Sequence, residues 1–253
     1  MGDEASARSI EPRAWQTVLE HVERQLVDGT LAPGDHLPGE RQLAADLGVG
    51  RSSVREALRV LEVLGLIRTH AGSGPNAGAI IIATPGGGMS ALMRLQVAAS
   101  GFPVADIVAT RLVLEAHVAG TLADASAPGP RPDLTAAERL LDAMDDPTLS
   151  PAEFLALDAA FHLALAEASG NQVVTATMAG LRSGIEGYAL AGLDRIADWA
   201  ATAARLRSEH RGVVEAIRAA DATAARARIH DHISGYYAET APDRGVAAAP
   251  STP

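Results

Sequence analysis

Between residues 40 and 65 two apolar periodicities meet at a three-residue turn, and this constrains the fold more than any other feature of the chain. In 40–47, Leu43, Ala44 and Leu47 recur at helical spacing, and in 51–65 Val54, Ala57, Leu58, Leu61 and Leu64 follow at intervals of three and four. Gly48-Val49-Gly50 leaves room only for a tight turn, so the pair reads as a helix-turn-helix. A helix is predicted over 14–28, with Val18, Val22, Leu26 and Val27 on one side and Gly29 as its stop. The proline-containing "LAPGDHLPGE" (31–40) is a loop. Residues 66–85 carry β-forming residues around a glycine-rich tip and read as a two-stranded wing. Gly86-Gly87-Gly88 reads as a flexible hinge and domain boundary.

Beyond it no segment reads as a strand. Helical patterns run over 89–100, 103–125, 133–145, 151–169, 171–190, 194–220 and 222–239, with Pro103, Pro132 and Pro151 near helix starts and Gly101, Gly129 and Gly170 at breaks. Seven helices with short loops make an antiparallel bundle. The expected fold is therefore mainly α. A winged helix-turn-helix domain occupies 1–85, an all-helical effector-binding and dimerisation domain 86–240, and a disordered low-complexity tail 241–253.

The formal net charge of -10 argues against a general polyanion binder, because phosphate attracts cations. All 21 basic residues are arginine, however, the side chain best suited to bidentate contacts with bases, phosphates and carboxylates. Residues 41–68 hold five of them (Arg41, Arg51, Arg55, Arg59, Arg68) against three acids (Asp46, Glu56, Glu62), a positive strip in an acidic chain. Aromatics at 3% disfavour stacking on single strands. The absence of cysteine excludes disulfide scaffolds and thiolate chemistry. Neither a signal peptide nor a run approaching the ~20 apolar residues of a membrane span is visible, so the expected location is cytoplasmic, away from any membrane.

A recognition helix meets major-groove base edges through its first turns, which here carry Arg51, Ser52, Ser53 and Arg55. Arg51 and Arg55 share a face and suit guanine, the serines suit phosphate oxygens, and Arg41 opens the preceding helix beside a phosphate. His70 and Ser73 sit on the wing. "LAPGDHLPGERQLAADLGVGRSSVREALRVLEVLGLIRTHAGSG" (31–74) resembles the winged helix of GntR-family regulators. The family pattern is Pro-Gly-x-x-Leu-Pro-Ser-Glu-Arg followed by Gly-Val-Ser-Arg-x-x-Val-Arg-Glu-Ala-Leu. The resemblance implies that Arg41, Arg51 and Arg55 are the DNA-contacting arginines, with His70 at the wing. Gly39 and Gly50 replace the family's two serines, and "PNAGA" (75–79) lengthens the wing.

A second constellation lies in the bundle. Asp158 and His162 stand at i and i+4 on one helical face, and His210, His230 and His232 follow in later helices. Three imidazoles and a carboxylate facing inward suit Zn²⁺, Ni²⁺ or Mn²⁺ with an open position, although isolated histidines are commonly structural. His230 and His232 point about 200° apart on a helix, so only one faces inward. From "TRLVLEAHVAG" (110–120) to residue 233 the chain resembles the FCD domain of the FadR subfamily. That resemblance implies a divalent-metal site at Asp158, His162, His210 and His232, and an effector-holding Arg111. Arg111 with Glu115 also reads as a surface i,i+4 ion pair, and Asn171 either borders the pocket or caps a helix. His21 and His117 read as structural or surface residues.

The function implied is that of a homodimeric DNA-binding transcriptional regulator, expected to be a repressor. It would bind a palindromic double-stranded operator under control of a small carboxylate effector held beside the metal. The alternatives are a helical metalloenzyme using the Asp/His cluster and a regulator whose histidines are purely structural. The enzyme is disfavoured because the chain has no His-Glu-x-x-His or paired Glu-x-x-His motif.

Overall fold

The computed structural model describes residues 13–70, 78–82, 87–99, 101–124, 126 and 131–240. The chain divides into two compact units, Met1–Gly88 and Met89–Pro253. The expected wing tip (71–77) and the expected disordered tail (241–253) lie outside the described residues.

In the first unit α1 (Ala14–Val27), α2 (Glu40–Leu47) and α3 (Arg51–Val63) precede β1 (Ile67–His70) and β2 (Gly78–Ile81). The strands pair antiparallel, Ile67 opposite Ile81 and His70 opposite Gly78. The 31–37 segment extends this ribbon: Gly34 N–H donates to Ile81 O and Leu37 N–H to Ala79 O, both at 2.8 Å. The apolar stripes read from the sequence meet here, with Val18, Val22, Leu43, Val54, Ala57, Leu61, Ile67 and Ile81 in one buried cluster. Gly48 ends α2 in the left-handed region (φ 64), a conformation that costs side-chain-bearing residues energy, so the sharp turn into α3 falls on the residue that tolerates it. Glu62 accepts hydrogen bonds from Thr69 N–H (3.0 Å) and Thr69 Oγ1 (2.6 Å), tying the wing to the end of α3.

The second unit is an all-helical bundle of α4 (Gly87–Ala98, its first two residues in the first unit), α5 (Val104–Leu122), α6 (Thr135–Ala143), α7 (Pro151–Ala168), α8 (Gln172–Ala191), α9 (Trp199–Arg218) and α10 (Ala222–Thr240). Among the described residues none of its elements is a strand. α5 runs through its centre, packed against α7, α8, α9 and α10. The core is aliphatic around Phe154 and Phe161, as a chain so poor in aromatics requires. Helix starts carry their own signals. Ser150 and Glu153 form a capping box before Pro151, and the side chains of Asn171 and Asp198 cap α8 and α9. No described helix is long and apolar enough to cross a membrane.

Two boundaries differ from expectation. Gly87 and Gly88 are not a loop but the first residues of α4, despite the low helix propensity of glycine. The helix expected from 194 begins at Trp199, after a short 3₁₀ turn at Leu193–Arg195, because the Asp198 carboxylate takes the Ala201 N–H and sets the start.

Gly39 and Gly50 are the N-caps of α2 and α3, with ordinary extended backbones (φ -60 and -71) and no side-chain cap. A Cβ at Gly39 would meet nothing within 4 Å, and at Gly50 only Ser52 Oγ at 3.5 Å and Ser53 Oγ at 4.0 Å. Gly39→Ser and Gly50→Ser should each stabilise the protein by a few tenths to about 1 kcal/mol, through the added cap and the stiffer unfolded chain. Urea midpoints read this, and lowered midpoints in both variants would contradict it.

Candidate metal centre and nucleic-acid interface

On the first unit, Arg41, Arg51, Ser52, Arg55, Arg59, Arg68 and His70 are exposed and Ser53 is half-buried. Arg51, Ser52 and Ser53 form the first turn of α3, and the N-cap Gly50 has no side chain to take their amides, so the helix N-terminus is open to an anion. Among the described residues Arg41, Arg51, Arg59 and Arg68 pair with no carboxylate. Arg55 differs. Its Nε donates to Glu40 Oε1 and Oε2 at 3.2 and 3.3 Å, and its Nη2 to Glu40 Oε2 at 2.8 Å. Sequence spacing had drawn the positive strip from residue 41, one position past the carboxylate that engages it.

In the bundle, α7 contributes Asp158 and His162, α9 His210 and α10 His232, all buried, with one potential ligand atom from each lying within 4.8 Å of the others. The three imidazole Nε2 atoms converge. His162 and His232 approach at 3.1 Å and His210 and His232 at 3.2 Å, while Asp158 Oδ1 lies 3.0 Å from His210 Nε2. His230 faces solvent, as the helical angle between it and His232 requires.

The outward edges of two imidazoles meet carboxylates. His232 Nδ1 lies 2.8 Å from Glu209 Oε2, and His162 Nδ1 lies against Glu115 Oε2. A carboxylate accepts only, so His232 Nδ1 carries the proton and its Nε2 lone pair points inward, 3.1 Å from His162 Nε2. At that distance the two nitrogens repel unless a proton on His162 Nε2 or a cation lies between them. Imidazole nitrogens held about 2.1 Å from one metal ion stand roughly 3.0–3.4 Å apart, so the spacing fits such an ion. Charge fits as well. Arg111 (+1) offsets only one of the buried Glu115 and Asp158, while Glu209 at the edge is paired with Arg205.

Burial alone would neutralise Asp158, but hydrogen bonding from His210 and the adjacent imidazoles outweigh it and hold its carboxyl well below the usual range. Glu115 is likewise held low, Arg111 and His162 overcoming burial. Burial pushes His210 down and His232 down to about 4, so both are neutral, as metal ligation requires.

Arg111 is not on the surface. It is buried in α5 and donates from Nε to Glu115 Oε1 at 2.7 Å and from Nη1 to the Tyr188 hydroxyl, while Nη2 has no partner among the described residues. Arg111, Asp158, His232, Tyr188 and Tyr236 line a small cavity of about 10 Å³. Tyr188 also borders a larger cavity of about 800 Å³ walled by Phe102, Ile107, Gly184 and Tyr237. Asn171 lies apart from both: it is exposed, and its Oδ1 is spent on Val173 N–H and Val174 N–H, each at 3.2 Å, so it is a helix cap rather than a pocket residue. Glu115, Glu209 and Tyr188 were not singled out as site residues by the sequence. Only Glu115 carried a signal, its i+4 spacing from Arg111.

Residues 15–75 match the family described as bacterial regulatory proteins, gntR family, and residues 106–235 match the FCD domain. The Glc operon transcriptional activator of Escherichia coli (strain K12) is 32% identical over 174 residues, covering 66% of this chain and 65% of that protein, so the chain spans just under two thirds of that relative. The putative L-lactate dehydrogenase operon regulatory protein of the same organism is 30% identical over 222 residues, covering 88% of this chain and 84% of that one. A solved structure titled Streptococcus agalactiae GntR superposes with a TM-score of 0.58 at 26% identity, covering 88% of this chain and 97% of the other.

His210 and His232 titrate below the free-imidazole value of 6.5 when folded, so the unfolded chain binds more protons between that value and about 4. The folded state should therefore lose stability as pH falls from 6.5 towards 4. The depressed Asp158, Glu115 and Glu209 carboxyls add loss in the same direction below their ordinary range. Urea midpoints of chelator-treated protein at pH 7.5, 6 and 5 measure this, and a flat profile would refute it.

Proposed function

Because the chain belongs to the GntR family of bacterial regulatory proteins and carries an FCD domain, we propose that it is a transcriptional regulator whose operator affinity is set by a small carboxylate bound beside a divalent metal. The carrying observation is the convergence of Asp158 and the Nε2 atoms of His162, His210 and His232 beside a buried guanidinium that has one edge unused. Asp158, His162, His210 and His232 would hold the metal. When bound, the ion supplies a Lewis acid for a carboxylate or hydroxyl oxygen, and Arg111 holds the carboxylate by a charge-assisted hydrogen bond. This suits hydroxy- and keto-acids, in keeping with the name of one relative, the putative L-lactate dehydrogenase operon regulatory protein.

The cavity beside Arg111 has room for about one water, so an effector enters only when Tyr188 leaves the guanidinium. The larger cavity on the other side of Tyr188 offers its ring somewhere to go. Closed and open arrangements then differ in effector affinity, which is what a ligand needs to shift the balance between two states. On DNA, α3 would enter the major groove, with Arg51 and Arg55 at base edges, Arg41, Ser52 and Ser53 at phosphates and His70 at the wing. Two copies would read a two-fold operator. Repression is the direction proposed. The winged helix, the helical effector domain and the tail divide as 1–85, 86–240 and 241–253, and the protein works in the cytoplasm.

Zinc, nickel or manganese should raise the melting temperature of chelator-treated protein, and a small carboxylate should raise it further. Asp158→Ala should abolish both shifts, and Arg111→Lys, which keeps the charge beside Glu115 but loses the planar fork, only the second. A metal-free protein whose stability is unchanged by Asp158→Ala would overturn the metal site and leave the histidines structural. For DNA, Arg51→Ala should weaken binding to the best duplex selected from a randomised library at least about tenfold, with unchanged helix content, because one bidentate base contact carries about 1–3 kcal/mol. Wild-type protein should prefer that duplex strongly over a scrambled one, since its acidic body repels phosphate. Equal affinity for both would refute specific reading.

A further inference from the structure

The contact between Arg55 and Glu40 joins the second turn of the recognition helix to the first residue of the helix before it, fifteen residues earlier. Both side chains are partly exposed (56% and 38%), so the pair contributes little to stability. Its geometry is specific. Nε and Nη2 form one edge of the guanidinium, and both are turned to the carboxylate. The Nη1/Nη2 end remains, and that end is a fork of the width that meets guanine O6 and N7. Glu40 also sits in the field of Arg51 and Arg59, and with Arg55 these hold its carboxyl below the ordinary range. It is therefore ionised whenever the protein meets DNA.

We propose that Glu40 is a positioning residue for base recognition. By holding the Nε/Nη2 edge of Arg55 it fixes the guanidinium plane, directs the Nη1/Nη2 end at a base edge and withholds the side chain from neighbouring phosphates. The proposal rests on the reading that α3 enters the major groove. A carboxylate on a DNA-facing surface otherwise has one effect, a uniform repulsion of phosphate that lowers affinity for every sequence alike. Orientation and repulsion thus predict opposite outcomes when the charge is removed.

The full-length protein is first used to select duplexes from a randomised library. Wild type, Glu40→Gln, Arg55→Ala and the double variant are then titrated with the best selected duplex and with a scrambled one. Glu40→Gln should bind the selected duplex about tenfold or more weakly and the scrambled duplex as well as wild type or better. Repeating the selection should show weaker preference at the same base position that Arg55→Ala relaxes. In the Arg55→Ala background, Glu40→Gln should cause no further loss on the selected duplex, because it acts only through Arg55. Circular dichroism and melting temperature should match wild type. Tighter binding of both duplexes by one common factor, or an unchanged preference at the Arg55-dependent position, would overturn the proposal. Arg51→Ala distinguishes its failure from that of the wider reading. If Arg51→Ala and Arg55→Ala both leave affinity and preference intact, α3 is not the reader.

Discussion

Burial of an ionic cluster in an otherwise aliphatic core is the constraint on which the second unit depends. Asp158, Glu115, Arg111 and three imidazoles lie almost fully out of water. An isolated buried charge is prohibitively costly, so each must be answered by a partner in the same interior. The partners come from different helices. α5 supplies Arg111 and Glu115, α7 Asp158 and His162, α9 Glu209 and His210, α10 His232 and α8 Tyr188. Displacing any one of these helices strands a polar group on another. The cluster therefore sets the register of the bundle as well as its chemistry, in a core with few large aromatics to lock it otherwise.

The same linkage gives the site a way to report on its contents. From His162 the contacts run to Glu115, from Glu115 to Arg111 and from Arg111 to Tyr188, so the proposed metal ligands and the proposed effector arginine share one chain of charged contacts. Tyr188 stands where that chain meets a larger apolar space. An anion that takes its place on Arg111 exchanges a neutral hydroxyl for a charge, a stronger partner in a dry interior. The first unit has a parallel economy. Among the described residues of that unit Arg55 is the one arginine paired with a carboxylate, and it is held along a single edge.

Several of these features are legible in the chain and several are not. The helix-turn-helix could be read because its apolar residues recur with the helical period and because glycine at position 48 permits the left-handed turn. The Asp158–His162 pair could be read because i and i+4 share a face. The angle between His230 and His232 says that only one of them faces inward, and the family resemblance, not the angle, points to His232. Helix propensity misled at Gly87 and Gly88, which begin α4 although glycine disfavours a helix. It misled again before Trp199, where a cap rather than the apolar pattern chooses the first residue. Asn171 shows the limit from another side. Its position beside a glycine marks a helix boundary, but only its hydrogen bonds to Val173 and Val174 assign the whole side chain to that boundary.

The chain's own pattern fixes the order of elements, the faces they would bury, the short list of candidate metal donors and the arginines that open α3. These all follow from periodicity and side-chain chemistry, which act over a few residues. The tertiary structure alone decided that Arg111 and Glu115 are an interior pair rather than a surface one, and that Glu115 and Glu209 orient two of the histidines. It also decided that Glu40 grips Arg55. Each of these joins residues 15 to 47 positions apart, or places a helical pair on the inner rather than the outer side. Helical period says which residues share a face, but only the packing of the other helices says whether that face meets water.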